Sequence, residues 1–261
     1  MSAARLAYSI EGPTGAPPIV LLHALATSRD LWLPQLPVWA TQFLVVRIDL
    51  PGHGESPQAE GMATLAGFAD EVAQVVDDLG IQRAAVVGLS LGGMVAQAFA
   101  LRYPERCSAL VLAHTSARTD AAVKAIWEER LEQLEKEGLP AQAAAILGRW
   151  FPADFADASP MTLQWIARQI TATSPQGYAA AVRAIQQLDH LDMLRKISVP
   201  TLVLAGEADK AAPPAAAALM AGQIADSRLV VLPGVAHLGN VQAPVVFTET
   251  VGSFLLDTSK A

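Results

Sequence analysis

A serine hydroxyl becomes a useful nucleophile only when a base can take its proton and donors can hold the oxyanion that forms. Ser90 has the setting for that chemistry. It lies in Val86-Val87-Gly88-Leu89-Ser90-Leu91-Gly92-Gly93-Met94-Val95-Ala96, where a β-branched apolar run passes through G-x-S-x-G into a helical pattern. A strand that turns this sharply into a helix holds the serine in a strained conformation with its hydroxyl at the sheet edge. Gly88 and Gly92 suit the turn because a Cβ there would strike the adjoining strand and helix. The backbone N–H of Leu91, at the start of that helix, is the first candidate oxyanion donor. The alternatives are a plain glycine-rich connection with an ordinary serine and a phosphate loop. The phosphate loop is disfavoured because no G-K-[ST] ending follows.

The chain has five histidines. Only His237, in Pro233-Gly234-Val235-Ala236-His237-Leu238-Gly239-Asn240 just past an apolar run, follows the candidate acids in the chain. Those are Glu207 and Asp209, in Gly206-Glu207-Ala208-Asp209-Lys210-Ala211-Ala212-Pro213. Each also suits a bland role, such as capping the next helix. His23 reads as a tie for the loop that contains it. His53 belongs to the turn Asp49-Leu50-Pro51-Gly52-His53-Gly54-Glu55-Ser56, whose polar groups read as a brace. His114 ends a strand and is expected to line the pocket, and His190 reads as a surface or hinge residue.

These groups must be carried to one place by the elements between them. Short β-branched runs recur at Ile19–Leu22, Phe43–Ile48, Ala84–Val87, Ala109–Leu112, Thr201–Leu204 and Leu229–Leu232. Each is bounded by breakers, as strands buried on both faces of a parallel sheet are. Helical stretches lie between them at Leu65–Leu79, Met94–Tyr103, Ala215–Ile224 and Val245–Leu256. The alternation implies right-handed crossovers and an α/β fold with a doubly wound, mostly parallel sheet. The opening hairpin is expected to be reduced to one strand within Arg5–Ile10. From about Thr115 to Asp189 no strand is evident, and helices are expected with breaks at Gly138-Leu139-Pro140, Pro152, Pro160 and Pro175. The division is therefore a core of residues 1–114 and 190–261 with a helical cap of residues 115–189 inserted in it.

Composition narrows the classes. With a net charge of −7 and no basic run, nucleic acid is not an expected partner. Cys107 is the only cysteine, so no internal disulfide can form, and a small buried role is expected. No zinc-ligand spacing or other metal or cofactor motif is present, and no metal or organic cofactor is expected. The stretch from Met1 to Tyr8 lacks a signal-peptide core, and no apolar run is long enough to span a bilayer. A cytoplasmic enzyme with no membrane partner is the expectation; the sequence leaves its oligomeric state unread.

The strand–G-x-S-x-G–helix unit, with acid and histidine loops following in that order, resembles the α/β-hydrolase superfamily over nearly the whole chain. The resemblance implies the α/β-hydrolase fold, a mostly parallel twisted sheet flanked by helices with a helical cap insertion. It also implies a triad in the order serine, acid, histidine. The family's G-x-x-D spacing selects Asp209 over Glu207. It places a second oxyanion donor, the backbone N–H of Leu25, in His23-Ala24-Leu25-Ala26-Thr27-Ser28, where relatives often have His-Gly in place of His23-Ala24.

Within the superfamily, three stretches are similar to 3-oxoadipate enol-lactone hydrolases of aromatic catabolism. They are Gly88–Gln97, Gly148-Arg149-Trp150-Phe151 and Ala236–Gln242 with Pro244. The chain departs from that group at Pro51, where an arginine is usual, and at His114. What the resemblance implies is hydrolysis of a small-molecule ester or lactone through an acyl-enzyme. Arg149 would pair with a substrate carboxylate. Trp127, Trp150 and Trp165, with Phe151 and Phe155, would roof the pocket. Other readings keep the same machinery: a carboxylesterase for small aryl or alkyl esters, a C–C bond hydrolase, an acyltransferase, or a ligand receptor with a retained triad.

Overall fold

The computed structural model describes residues 5–58 and 63–259. Met1–Ala4, the start of the stretch read for a signal, and the outermost ends of the expected core fall outside the described residues. Seven strands form one sheet: β1 (Tyr8–Glu11), β2 (Pro18–Leu22), β3 (Leu44–Ile48), β4 (Ala84–Leu89), β5 (Cys107–Ala113), β6 (Thr201–Gly206) and β7 (Ser227–Leu232), in the order β1-β3-β2-β4-β5-β6-β7. Every neighbouring pair is parallel except β1 with β3. The opening is thus a single antiparallel edge strand, as expected.

The helices are α1 (Leu36–Trp39), α2 (Leu65–Asp78), α3 (Leu91–Arg102), α4 (Ala121–Trp150), α5 (Ala153–Ala158), α6 (Pro160–Ala172), α7 (Pro175–Gln186), α8 (Pro214–Gln223), α9 (Gly239–Gln242) and α10 (Pro244–Thr258). They form layers on the sheet. On one side α3 lies against β4 and β5 with α2 beside it, and on the other α10 packs on β5 with α1 against it. α3 starts at Leu91, directly after the serine, three residues before the apolar pattern alone suggests. Its residues Leu91–Ala100 are all buried, so it lies within the molecule and shows no polar face. α2 is the amphipathic counterpart, and the Thr64 hydroxyl caps it by accepting from the Gly67 N–H at 2.9 Å.

The reading of Leu229–Leu232 as buried on both faces does not hold. β7 is an edge strand, and Leu229 and Val231 are each 39 % exposed. A run of apolar residues cannot report that its strand has no further neighbour. Cys107 is buried at the start of β5, where loss of water pushes its thiol up to about 12.

Between β5 and β6 the chain is helical throughout, α4 to α7, with α4 packed against α6 and α7. The breaks fall at the punctuating residues: Gly138 bends α4 at φ 73°, and Pro152, Pro160 and Pro175 stand at helix starts. The two ends of this stretch are stitched together. His190 N–H donates to the Ala117 carbonyl at 2.7 Å, Thr119 N–H donates to Leu188, and Arg118 bridges Asp189 and Asp192. His190 is accordingly half-buried at this junction.

Candidate active site

Parallel strands carry their C-terminal ends to one edge of the sheet, where the loops that follow converge. Ser90 directly follows β4, Asp209 follows β6, His237 follows β7, and the loop His23–Ser28 follows β2. The topology therefore assembles in space what the chain keeps far apart.

Ser90 has φ 56° and ψ −115°, a left-handed-side conformation that a residue with a Cβ rarely adopts. The turn is over-determined. A Cβ on Gly88 would come within 2.2 Å of the Gly92 carbonyl oxygen, and one on Gly92 within 2.0 Å of the Leu22 carbonyl oxygen. Ser90 N–H donates to the Ala113 carbonyl at 2.9 Å, which locks the turn to β5.

The hydroxyl meets its base directly: Ser90 Oγ lies 2.9 Å from His237 Nε2. On the other side of the ring, His237 Nδ1–H donates to Asp209, 2.9 Å from Oδ2 and 3.1 Å from Oδ1. The loop carrying His237 is pinned at several points. Its N–H donates to the Trp150 carbonyl at 3.1 Å, and Ala236 N–H donates to Gln242 Oε1 at 2.7 Å. Buried Asn240 donates to the Leu31 carbonyl at 2.9 Å, and Gln35 donates back to the Asn240 carbonyl at 2.8 Å.

Asp209 is buried and acts as an anion. Oδ1 accepts from the backbone N–H groups of Ala211 and Ala212 at 2.8 and 2.9 Å. Burial opposes its charge, but the His237 ring, the His114 and His237 hydrogen bonds and the Ala212 N–H outweigh that. The carboxyl is held well below the usual carboxylate range. Glu207, the rival acid, turns away: it accepts from Gly234 N–H at 2.9 Å and is exposed.

Leu91, one of the two expected oxyanion donors, opens α3 directly after Ser90. Leu25 lines the cavity beside Ser90, and neither backbone N–H has an acceptor among the described residues. The loop bearing Leu25 is braced as its histidine suggested. His23 Nδ1–H donates to the Ala24 carbonyl at 2.7 Å, and its Nε2 accepts from Leu50 N–H at 2.9 Å. Burial lowers the His23 pKa to about 4, so the ring is a neutral strut. Ala24 is not among the residues of positive φ; in this loop that conformation falls at Ala26, 57°. Gln169 on α6 ties the loop to the helical stretch, its Oε1 accepting from Ser28 N–H at 3.0 Å. The Asp49–Ser56 turn is also a brace: Asp49 pairs with Arg29, and Ser56 Oγ donates to the Asp49 carbonyl at 2.6 Å. Burial, then the neighbouring His23, lowers the His53 pKa to about 3.

A cavity of about 200 Å³ opens from Ser90 toward the helical stretch. Of the residues expected to bind substrate, Trp127, Arg149, Trp150 and His114 all border it. Their side chains do different things there. Trp150 lies 6.2 Å, ring to ring, from His237. Trp127 gives its ring face to Arg130, whose guanidinium carbon is 4.4 Å from the ring centroid. His114 is 0 % exposed; it lies behind the acid, with Nδ1–H donating to Asp209 Oδ2 at 3.3 Å and its ring stacked on Phe247. Trp165 does not reach this cavity but borders a surface hollow with Arg168 and Gln169. Phe151 and Phe155 stack on each other at 5.1 Å, packing within the helical stretch and not roofing the cavity.

Arg130 and Tyr178 also line the cavity, and neither stands out from the sequence alone. Arg130 sits in Glu128-Glu129-Arg130, which reads as a solvated charge run. The available signal was Trp127 one helical turn earlier, the i, i+3 spacing at which an indole and a guanidinium can stack.

Comparison with known proteins gives a consistent result. The family model described as alpha/beta hydrolase fold matches residues 17–244. A 3-oxoadipate enol-lactonase 1 of Acinetobacter baylyi is 31 % identical, covering 96 % of this chain and 92 % of its own. Among solved structures, an enol-lactonase from Burkholderia xenovorans superimposes with a TM-score of 0.94 at 35 % identity, covering 98 % of each chain. A hydrolase from Pseudomonas aeruginosa gives 0.91 at 37 %, covering 96 % of this chain and 94 % of its own.

Proposed function

The chain belongs to the α/β-hydrolase fold family and is a hydrolase, and from that premise we propose that it cleaves a small ester or lactone through a Ser90 acyl-enzyme. The observation that carries the reading is the unbroken line from Ser90 Oγ through His237 to Asp209, with both contacts at 2.9 Å. In this mechanism His237 Nε2 takes the hydroxyl proton as Oγ attacks the acyl carbon. Asp209 fixes the ring with its proton on Nδ1 and stabilises the imidazolium. The N–H groups of Leu25 and Leu91 receive the oxyanion, a donor of this kind contributing roughly 3 to 4 kcal/mol to the transition state. The C–O bond then breaks and His237 returns the proton to the leaving oxygen. Water, activated by the same ring, cleaves the acyl-enzyme and restores Ser90.

The helices α4 to α7 act as a cap over this site, excluding water from the acyl-enzyme and shaping the acyl pocket. The substrate we favour is an enol-lactone of the 3-oxoadipate type. Its leaving oxygen departs as an enol that becomes a ketone, which eases acylation, and Arg149 borders the pocket to meet its carboxylate. Likeness to the Acinetobacter and Burkholderia enol-lactonases supports the same choice.

The test is a panel of the enol-lactone, p-nitrophenyl acetate and a ring-cleavage dienoate, with Ser90→Ala and a fluorophosphonate label alongside. The reading expects label on Ser90 and a loss of several powers of ten in Ser90→Ala, as for other serine triads. It also expects a lactone preference of at least about a hundredfold, some 2.7 kcal/mol of differential transition-state binding. A tenfold loss or less in a folded Ser90→Ala removes the serine mechanism. Equal rates across the panel remove the lactone assignment.

A further inference from the structure

The cavity carries charge that acyl transfer does not use. Arg130, Arg149 and Lys210 border it, and no aspartate or glutamate among its lining residues faces them. This is a cationic hollow in a chain of net charge −7. Arg130 and Arg149 are half-buried, and neither makes an ion pair among the described residues. Arg130 and Arg149 bear on each other, and the phenol of Tyr178 bears on both. Two like charges held near each other and away from bulk water repel, so the arrangement is at its best with an anion between them.

The arrangement is also built. Arg130 and Arg149 come from opposite halves of α4, and the bend at Gly138 lets one helix deliver both to the same hollow. Trp127 covers the face of the Arg130 guanidinium, which fixes its plane and leaves its N–H edge for a ligand. Buried Tyr178, on α7, adds a hydroxyl with no hydrogen bond among the described residues.

We propose that Arg130, Arg149 and Tyr178 form a clamp for a free carboxylate on the substrate, remote from the scissile carbonyl, so that the enzyme selects half-esters and lactones of dicarboxylic acids. This rests on the serine-hydrolase reading and assigns its specificity to the remote charge, whether the ester is cyclic or open. Hydrolysis still consumes one water: an open half-ester gives the diacid and a free alcohol, and a lactone gives a single ring-opened diacid that keeps the leaving oxygen as a hydroxyl or, from an enol, as a ketone.

The experiment compares mono-p-nitrophenyl glutarate with p-nitrophenyl pentanoate, acyl chains of the same length with and without the terminal carboxylate. Wild-type enzyme should favour the anionic ester in kcat/KM by about tenfold or more, the weight of a charge-assisted pair. Arg130→Met and Arg149→Met should each lower that anionic-to-neutral ratio about tenfold, through KM and not kcat. Glutarate should bind wild-type protein, measured by calorimetry, and lose that binding in Arg130→Met. A wild-type ratio near one, or a ratio unchanged in both variants, overturns the clamp. If neither ester turns over and Ser90 takes no label, the serine reading fails, and the calorimetric arm still decides the clamp: glutarate binding lost in Arg130→Met upholds it, and binding unchanged overturns it.

Discussion

His114 is fully buried behind Asp209. It donates one hydrogen bond to the acid at 3.3 Å, while its other ring nitrogen, Nε2, has no partner among the described residues and faces Gly239. Burial pushes its pKa down, against the pull of Asp209, so near neutral pH it is an uncharged single donor. Leucine at this position removes both the bond and the orphaned nitrogen. The bond is long and ends on a carboxylate, so we set its worth near the lower end of charged hydrogen bonds, about 1.5 kcal/mol. Asp209 keeps three other donors, the His237 ring and the N–H groups of Ala211 and Ala212, and stays seated. Its negative charge is then less dispersed, and it stabilises the His237 imidazolium more strongly. At about 1.36 kcal/mol per pH unit, the acidic limb of kcat/KM should move up by as much as one unit in His114→Leu.

Stability should not follow activity. The lost bond and the strain of leucine at φ 48°, roughly 1 to 2 kcal/mol, are offset by removal of an unsatisfied buried nitrogen, itself a cost of about 1 to 3 kcal/mol, so the melting temperature should stay within a few degrees of wild type. His114→Asn is the control. Its amide can donate from nearly the same point as Nδ1, and asparagine tolerates the φ of 48° found there. It should return the limb toward the wild-type position. The assay is kcat/KM against pH for the three proteins, with thermal melts alongside. A limb that stays within about 0.2 unit of wild type in a folded His114→Leu, or that moves equally in the leucine and asparagine proteins, refutes the reasoning.

Two further outcomes follow from buried groups and from the serine turn. His23 and His53 are buried neutral, with pKa values of about 4 and about 3 against 6.5 when exposed, so the unfolded chain binds protons that the folded chain refuses. Stability is then fully present above about pH 6.5 and falls as pH drops through the window toward 4, by up to about 2.7 kcal/mol per unit once both unfolded rings are charged. Melting temperatures at pH 7 and pH 5, where most carboxylates are still ionised, check this; equal values contradict it. Gly92→Ala should cost about 3 kcal/mol or more, because its Cβ would lie 2.0 Å from the backbone oxygen of Leu22. For a chain of this size that is a fall of roughly 10 °C, whereas Gly222→Ala, with nothing within 4 Å, should be neutral or stabilising. A melt of Gly92→Ala within a few degrees of wild type would show that the turn yields.

What the sequence disclosed is what the backbone decides locally. The Ser90 turn was readable because G-x-S-x-G forces a glycine at each close approach. The loops of the acid and base were readable because each follows a strand whose direction is fixed by parallel pairing, though the choice of Asp209 over Glu207 came from the family resemblance. Boundaries set by breakers, such as Gly138 and Pro175, were readable for the same reason. What escaped depends on neighbours from elsewhere in the chain. The exposure of Leu229 and Val231 follows from β7 being last in the sheet. Burial of His114 follows from its place behind Asp209, and the separation of Trp165 from the cavity follows from how α6 lies.

Arg130 shows where these two kinds of information meet. Its neighbours in the chain are glutamates, and beside them a guanidinium looks satisfied by water and surface pairing. The bend at Gly138 changes that account, because it turns the second half of α4 so that Arg149 borders the hollow that Arg130 and the α7 phenol also border, with no carboxylate among its described lining residues. One backbone feature visible in the sequence thus creates an electrostatic demand that is not. On the proposed reading, the sheet holds Ser90, His237 and Asp209 together, and which acyl group reaches them would depend on α4, whose two halves must keep their angle for the charges to act together. A different angle at Gly138, with the second half of α4 still holding the His237 loop through the Trp150 carbonyl, would leave Ser90, His237 and Asp209 in register and still separate Arg130 from Arg149. On the proposed reading the enzyme would then keep its chemistry and lose the preference for an anion.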